Sequence, residues 1–313
     1  MEIWKLNPVY KDYLWGGQSL KNNFNAKTDL DLIAESWVLS VHKDGTNLIE
    51  SGKFKGKHLK EVLDNKKYWG ENAKKFDFFP VMVKLIDAAS DLSIQVHPSD
   101  ELSLEVEGQY GKTEVWYVLD AEEDTYLYYG LKQDITKEEF KELLCTSKLE
   151  TVLNKVYVKP GDVLMVDSGT IHAICKGALV AEIQQNSNVT YRLYDYNRKD
   201  KNGQLRPLHI EKAIQAANLS KRNVDKTPVT VEQCGGNTKI LVAQNKYFTA
   251  SVYTIDEKLS LEVTEKTFKN IVVLDGEFFI ENMKFQKGES AFIPAGEGKA
   301  EIEGSGKLLI TEV

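Results

Sequence analysis

The segment Gly161-Asp-Val-Leu-Met-Val-Asp-Ser-Gly-Thr-Ile-His172 has a counterpart 127 residues further on, Gly288-Glu-Ser-Ala-Phe-Ile-Pro-Ala-Gly-Glu-Gly-Lys299. Both segments begin with a glycine followed by an acidic residue. An apolar run comes next, and a second glycine follows that run. Upstream, Val115-Trp-Tyr-Val-Leu-Asp120 is echoed 155 residues later by Asn270-Ile-Val-Val-Leu-Asp275. The order strand, turn, strand, turn is typical of a small jelly-roll barrel. The echoes therefore predict two related β-modules.

The rest of the chain also favours a mainly β fold. Short apolar and aromatic runs recur between glycine, proline, asparagine and aspartate, at Ser36–Val41, Val81–Ile86, Ser93–Val96, Val115–Leu119, Thr125–Tyr129, Val163–Val166 and Leu179–Ile183. Three helices are predicted, at Lys57–Trp69, after the capping box Thr136-Lys-Glu-Glu139, and at Leu208–Ala217. The pattern resembles that of cupins. It predicts two cupin-like jelly-roll barrels (double-stranded β-helix) with a few peripheral helices.

Composition excludes several classes of function. The chain has 313 residues, of which 42% are hydrophobic and 28% charged, as in soluble proteins of about two domains. Its net charge of −7 and the lack of a dense basic run argue against nucleic acid as a partner. No apolar stretch approaches the ~20 residues of a membrane span. We expect a cytoplasmic protein, because no secretory signal is visible and Cys145, Cys175 and Cys234 form no disulfide framework.

Four residues of the first module offer metal ligands. Gln95 and His97 lie two residues apart, so on a strand both side chains point to the same face. Glu114 opens the next predicted strand, and His172 lies 75 residues beyond His97. Two imidazoles and one carboxylate suit a catalytic Zn²⁺ ion and also a facial-triad Fe²⁺ ion. The donor types alone leave the choice of metal open.

The second module has lost two of these ligands. Glu114 aligns with Lys269, and His172 aligns with Lys299. A protonated lysine cannot ligate a metal, since it has no free electron pair. We therefore expect residues 1–207 to form a metal-binding catalytic cupin domain and residues 208–313 to form a degenerate, metal-free one. The two echoes differ by 28 residues in spacing, which predicts a helical insertion near 131–155 in the first domain.

The chain resembles a known family, type I mannose-6-phosphate isomerase (phosphomannose isomerase) in its short bacterial form. The resemblance runs in order through residues 13 to 195, and the Gln-x-His-Pro, Gly-Lys-Thr-Glu and Gly-Thr-x-His-Ala motifs together are its most specific part. The matching segments are Tyr13-Leu-Trp-Gly-Gly17, Ala34-Glu-Ser-Trp-Val-Leu-Ser40, Phe79-Pro-Val-Met-Val-Lys-Leu-Ile-Asp-Ala88, Leu92-Ser-Ile-Gln-Val-His-Pro98, Gly111-Lys-Thr-Glu-Val-Trp-Tyr117, Gly169-Thr-Ile-His-Ala173, Glu182-Ile-Gln-Gln185 and Thr190-Tyr-Arg-Leu-Tyr-Asp195.

The resemblance implies an activity and a set of site residues. The activity is zinc-dependent interconversion of D-mannose 6-phosphate and D-fructose 6-phosphate through an enediolate. The implied ligands of a single Zn²⁺ are Gln95, His97, Glu114 and His172. The implied catalytic residues are Arg192, Lys112 and Glu182, with Lys112 as a proton-transfer group. The implied substrate contacts are Trp15 in the pocket wall and Ser93 and Lys84 at the phosphate.

Two other readings stay open at this point. One is a bicupin Fe(II) dioxygenase, which would use the same donors. The other is a sugar-binding cupin without catalysis. Lys112 and Arg192 favour the isomerase, because an oxygenase has no need of a cationic phosphate site and a mere binding protein has no need of a proton-transfer group. The chain also departs from many relatives by carrying Asn188 in place of an aspartate, and Asp167-Ser168 before a glycine turn.

Overall fold

A computed structural model describes residues 1–200, 202–224 and 226–313. Within those residues the chain forms 23 strands and five α-helices. The first strands are β1 (Trp4–Asn7), β2 (Val9–Lys11), β3 (Glu35–Leu39), β4 (Val41–His42), β5 (Gly45–Thr46), β6 (Leu48–Ile49), β7 (Val81–Asp87), β8 (Ile94–Val96), β9 (Glu114–Ala121), β10 (Tyr126–Leu131), β11 (Leu153–Tyr157) and β12 (Val163–Val166). The others are β13 (His172–Ile174), β14 (Ala178–Gln185), β15 (Tyr191–Tyr194), β16 (Val231–Cys234), β17 (Asn237–Gln244), β18 (Thr249–Ile255), β19 (Lys258–Val263), β20 (Lys269–Ile280), β21 (Met283–Gln286), β22 (Ser290–Ile293) and β23 (Gly298–Glu312). The α-helices are α1 (Ser19–Asn23), α2 (Leu59–Leu63), α3 (Asp100–Glu107), α4 (Lys137–Cys145) and α5 (Ile210–Ala216).

The first barrel is built from two antiparallel sheets that face each other. One has the strand order β11-β10-β13-β8-β15, and the other has the order β12-β9-β14-β7-β3-β2. Their inner faces share a core to which Trp116 and Val118 contribute from β9, and Leu127 and Tyr129 from β10. Side chains from both sheets therefore interdigitate, as in a sandwich.

The second barrel is a single antiparallel sheet of ten strands. Its main path runs β16-β17-β18-β23-β20-β22-β1-β6, while β19 pairs with β23 and β21 pairs with β20. The strands surround an apolar core that includes Ile271, Phe278, Phe285 and Ile302. The expected pair of cupin-like barrels in a mainly β chain is thus confirmed. The division at residues 207 and 208 stays a prediction; strand β1, from the N-terminal end of the chain, pairs with β22 of the second sheet.

Gly276 lets the long strands β20 and β23 bend around this second core. Its φ is +80°, and a Cβ atom there would lie 2.0 Å from the carbonyl oxygen of Ser305. Only glycine tolerates both conditions. The pairing register between the two strands shifts just before it, between Val273 and Asp275. Such an irregularity increases the local bend and twist of a strand pair.

Of the five α-helices in the described residues, α2, α4 and α5 correspond to predicted helices, whereas α1 and α3 were not predicted. The helix predicted after Thr136 is α4, where the Thr136 hydroxyl accepts a hydrogen bond from the Glu139 backbone N–H and the Glu139 carboxylate accepts one in return. The helix predicted at Lys57–Trp69 is shorter, because the chain leaves α2 and continues as a separate 3₁₀ turn. Helix α3 was not predicted, since Ser103 is its one buried residue and no apolar stripe marks it. Among the helices of the described residues, none is long and apolar enough to cross a membrane.

An aromatic stack joins the N-terminal strand to the second barrel. Trp4 stacks on Phe292 with ring centroids 5.5 Å apart, and Phe292 stacks on Phe268 at 4.9 Å. Phe79, two residues before β7, packs against both phenylalanines. These side chains belong to an apolar core that also contains outward-facing residues of the six-stranded sheet, such as Val83. That sheet is therefore buried on both faces.

We predict that Phe292→Ala lowers the free energy of unfolding by about 3–5 kcal/mol, because it removes a fully buried ring and leaves a cavity between the barrels. Chemical denaturation followed by tryptophan fluorescence measures the change. The matched control is Phe279→Ala, since Phe279 is 46% exposed. Equal effects of the two substitutions would contradict the role assigned to the buried stack.

Candidate metal centre and active site

Strand pairing in the first barrel lines up three polar side chains. His172 on β13 pairs with Gln95 on β8, and Gln95 pairs in turn with Arg192 on β15. Residues directly opposite each other on neighbouring strands project from the same face of the sheet. The three side chains therefore form a row across the five-stranded sheet. His97 lies just after the end of β8, two residues beyond Gln95, so its side chain points to the same face of the sheet as the row.

His97, Glu114 and His172 come together as the sequence predicted. Their candidate ligand atoms all lie within 4.8 Å of one another, and all three residues are at most 1% exposed. Each imidazole Nε2 is 3.5 Å from an oxygen of Glu114. The Oε1 atom of Glu114 is buried without a hydrogen-bond partner. Buried polar atoms are rarely left so, and this oxygen has room for a bond to a cation.

Backbone carbonyls orient both imidazoles. Nδ1 of His97 lies 2.8 Å from the carbonyl oxygen of Val189, and Nδ1 of His172 lies 2.8 Å from that of Thr170. Because a carbonyl only accepts, Nδ1 carries the proton and Nε2 presents its free electron pair to the cluster. Burial lowers the pKa of His172 to about 4 and that of His97 well below its ordinary value. Both rings are therefore neutral, as metal binding requires.

A chain of alternating charges runs from this cluster across the six-stranded sheet. Nζ of Lys112 contacts Oε2 of Glu114 and lies 3.4 Å from Oε1 of Glu182. Nζ of Lys84 lies 3.3 Å from the same Glu182 oxygen and 3.4 Å from Oε2 of Glu35. All five side chains are at least nine-tenths buried. Each buried charge thus has a neighbour of opposite sign, as burial demands.

Burial and neighbouring charges shift the pKa values of Glu182, Lys84 and Glu114. Burial by itself would raise the pKa of Glu182, but Lys112 and Lys84 lower it below its ordinary value. Burial likewise disfavours the ammonium of Lys84, yet Glu35 and Glu182 raise its pKa. For Glu114, burial and the charge of Glu182 raise the pKa. A divalent cation bound beside Glu114 would keep that carboxylate ionised.

A cavity of about 220 Å³ opens in front of the cluster. Seven of the residues singled out from the sequence line it, namely Trp15, Lys84, Ser93, Gln95, Lys112, Glu182 and Arg192. The other three, His97, Glu114 and His172, lie behind Gln95 and Lys112, within hydrogen-bonding reach of one or both. All ten residues therefore belong to one site.

Other lining residues were not singled out from the sequence. They include Tyr13, Glu35, Thr190 and Arg206. Glu35 and Tyr13 lie inside segments that resemble the family, so the signal for them was present but unused. Arg206 lies beyond those segments, and only the folded chain shows that it returns to the cavity.

The second barrel has no comparable cluster among the residues that the structure describes. Lys269, at the position that aligns with Glu114, pairs with the carboxylate of Glu312. Lys299, which aligns with His172, is exposed and lies 3.3 Å from Glu301. The fold and the site together define a two-barrel cupin with one candidate metal centre, in the first barrel.

Comparisons with known proteins identify the family. Residues 3–128 match the catalytic domain of type I phosphomannose isomerase, and residues 237–313 match the cupin domain of mannose-6-phosphate isomerase. The chain is 35% identical to mannose-6-phosphate isomerase ManA of Bacillus subtilis, over 98% of this chain and 97% of that protein. It is 38% identical to the probable mannose-6-phosphate isomerase GmuF of the same organism, over 98% of both chains. A crystal structure of the Bacillus subtilis mannose 6-phosphate isomerase superposes over the whole of both chains with a TM-score of 0.91 at 33% identity. The chain belongs to the type I phosphomannose isomerase family.

We predict that His172→Ala lowers the metal content of the purified protein, because three strong protein ligands become two. The loss is measured by elemental analysis after gel filtration. Lys299→Ala, at the aligned position of the second barrel, is the control and should leave metal content unchanged. Full metal occupancy in the His172 variant would remove this residue from the coordination sphere.

Proposed function

We propose that this protein is a Zn²⁺-dependent aldose–ketose isomerase that interconverts D-mannose 6-phosphate and D-fructose 6-phosphate. The observation that carries the proposal is the buried His97–Glu114–His172 cluster directly behind a cavity walled by lysine and arginine side chains. Relatives over nearly the full length are named as isomerases of mannose 6-phosphate. The phosphosugar substrate and the three free cysteines suit a reducing, cytoplasmic setting.

His97, Glu114 and His172 would hold the metal, with the amide oxygen of Gln95 as a fourth donor. Nε2 of Gln95 lies 3.4 Å from Nε2 of His172, so a half-turn of the amide would direct its oxygen to the cluster. Two nitrogen donors and a carboxylate suit Zn²⁺. The bound ion would act as a Lewis acid that stabilises negative charge on the substrate oxygens at C1 and C2.

Lys112 and Glu182 are the candidates for proton transfer. Isomerisation removes a proton from C2 of mannose 6-phosphate and returns it to C1, so one group must accept and then donate the proton. The two side chains lie 3.4 Å apart and both line the cavity. Glu182 also accepts a hydrogen bond from the Trp116 indole at 3.1 Å, which fixes its orientation. We infer that Lys112, as the neutral amine, accepts the C2 proton, that Glu182 holds the resulting ammonium in place, and that the ammonium then donates the proton to C1.

Arg192 is proposed to stabilise the enediolate. It is the cross-strand neighbour of Gln95, and its Nε is buried without a hydrogen-bond partner. A guanidinium held next to the reacting carbons stabilises negative charge as that charge develops. Ser93 and Trp15 line the same cavity and stay predictions for the phosphate and the pocket wall. Lys84 is engaged with two carboxylates, so a phosphate would have to compete with those ion pairs.

The rival functions are less well supported. An Fe²⁺ dioxygenase would use the same three donors, but it gains nothing from Lys112 and Arg192 in the cavity wall. A sugar-binding protein without catalysis would have no need for the buried Lys112–Glu182 pair, which is costly to bury.

A coupled assay tests the proposal. Protein treated with a chelator should form no fructose 6-phosphate from mannose 6-phosphate, and added Zn²⁺ should restore product formation. Elemental analysis of the same samples checks the metal. If zinc-loaded protein forms no fructose 6-phosphate, the proposed activity is wrong. Restoration by Fe²⁺ and not by Zn²⁺ would contradict the choice of metal.

We predict that Arg192→Ala and Lys112→Met keep the metal but lose turnover. Removal of one transition-state donor costs on the order of 10²–10³ in rate, so we expect a loss of that size for Arg192→Ala. Lys112→Met should also abolish exchange of the C2 proton with solvent, which NMR in deuterated water measures beside product formation. If both variants stay within a few-fold of the parent rate with full metal content, the catalytic assignment is wrong, and Glu182 is the next residue to test.

A further inference from the structure

The backbone around Lys112 lies outside the regular strands. Residues 111–113 precede β9, which begins at Glu114. The backbone N–H of Lys112 donates to the carbonyl oxygen of Pro98 at 3.3 Å. A Cβ atom on Gly111 would lie 2.5 Å from the same oxygen, so only glycine lets the two segments approach this closely. The segment that carries Lys112 is therefore held against the residues that follow His97.

Asp100, the first residue of α3, fixes this segment further. Its Oδ1 accepts a hydrogen bond from the backbone N–H of Gly111 at 3.0 Å and another from Nε2 of Gln185 at 2.8 Å. Gln185 ends β14, and its Oε1 accepts a hydrogen bond from the backbone N–H of Thr113 at 2.9 Å. The N–H groups on both sides of Lys112 are thus held, one by Asp100 directly and one through Gln185.

The second barrel reaches the same carboxylate. Tyr247 lies in the loop between β17 and β18, and its hydroxyl donates to Oδ2 of Asp100 at 2.6 Å. Oδ1 of Asn245 accepts hydrogen bonds from the backbone N–H groups of Tyr247 and Phe248, and Phe248 is buried in the core between the barrels. Burial and the hydrogen bond to Asp100 raise the pKa of Tyr247, so the hydroxyl keeps its proton. Tyr247 is therefore a donor held on an ordered loop.

We propose that Tyr247, from the second barrel, is a positioning residue that acts through Asp100 to hold the backbone at Lys112. The inference rests on the proposed function, since that function assigns the proton transfer to Lys112. Nζ of Lys112 contacts Glu114 and lies 3.4 Å from Glu182, and proton transfer requires that this geometry be kept. A carboxylate that loses one of its donors is less firmly held, and so is the segment bound to it.

Tyr247→Phe in the zinc-loaded protein removes the hydroxyl and keeps the ring. We expect kcat for mannose 6-phosphate to fall about 10-fold, a part of the ~10²-fold loss that follows from a displacement of ~1 Å. KM should stay within about twofold and zinc content should stay full, because no residue of the cavity wall and no metal ligand is changed. Hydrogen exchange, followed by mass spectrometry, should become faster in peptides that cover residues 111–113. This second readout requires no isomerase activity.

Tyr253→Phe is the matched control. It removes a tyrosine hydroxyl from the same barrel, but Tyr253 lies on β18 with its side chain against the core of that barrel. Both kcat and the exchange of residues 111–113 should stay unchanged in this variant.

A double-variant cycle with Asp100→Ala tests whether Tyr247 acts through Asp100. In the Asp100→Ala background, Tyr247→Phe should change kcat by less than about twofold, because the acceptor of the hydroxyl is already gone. If Asp100→Ala does not fold, Asp100→Asn replaces it, with a smaller expected coupling since one acceptor oxygen is kept. Full additivity of the two losses overturns the inference, and so does unchanged exchange at residues 111–113 in Tyr247→Phe. Faster exchange in a protein that does not isomerise mannose 6-phosphate would refute the proposed function and leave the role of Tyr247 in holding this segment standing.

Discussion

Compensation of buried charge is the constraint on which the rest of the site depends. Between the two sheets of the first barrel, Glu35, Lys84, Glu182, Lys112 and Glu114 form a chain in which each group contacts one of opposite sign. The Trp116 indole N–H donates to the Glu182 oxygen that the lysines do not contact, and the Trp37 indole N–H donates to the Glu35 oxygen that Lys84 also contacts. An unpaired charge at this depth would cost several kcal/mol. If one of these five side chains moves, a neighbouring charge loses an ion-pair partner. A proton-transfer group placed among them is therefore held at a fixed position.

The second barrel supports the site from outside the cavity, whose lining residues all lie between Tyr13 and Arg206. Strands β7 and β14 are buried along their whole length, since one face lines the first barrel and the other packs on the apolar core between the barrels. Lys84 and Glu182 lie opposite each other on these two strands. Groups on strands that are packed on both sides have little freedom to shift, and a reaction that transfers a proton over a short distance needs that rigidity. The second barrel, which has Lys269 and Lys299 at the positions that align with Glu114 and His172, supplies this packing.

The sequence predicts the parts of this molecule that depend on local pattern. The echo of Gly161–His172 indicates two barrels, and the capping box at Thr136 and Glu139 indicates α4, because both follow from residues close together in the chain. Gln95 and His97 are found by their spacing of two on a strand. Glu35 and Arg206 are not found in this way. Glu35 pairs with Lys84, which is far away in the chain, and Arg206 pairs with Asp195, which lies on the other side of a turn. No periodicity encodes such pairings.

The two ends of the cavity differ in charge, and we expect this difference to set the direction in which the proposed substrate binds. Carboxylates outnumber ammonium groups beside Glu114, whereas guanidiniums outnumber carboxylates beside Asp195. A molecule with an anionic end and a chain of hydroxyl groups gains electrostatic energy in one orientation and loses it in the other. That orientation would place the uncharged oxygens at the His97–Glu114–His172 cluster and next to Lys112. Arg192, beside Gln95 in the strand pairing, lies between the two ends and can respond to negative charge that develops on the sugar. Under the proposed function, the asymmetry of charge would thus select which end of the sugar reacts before any catalytic group acts.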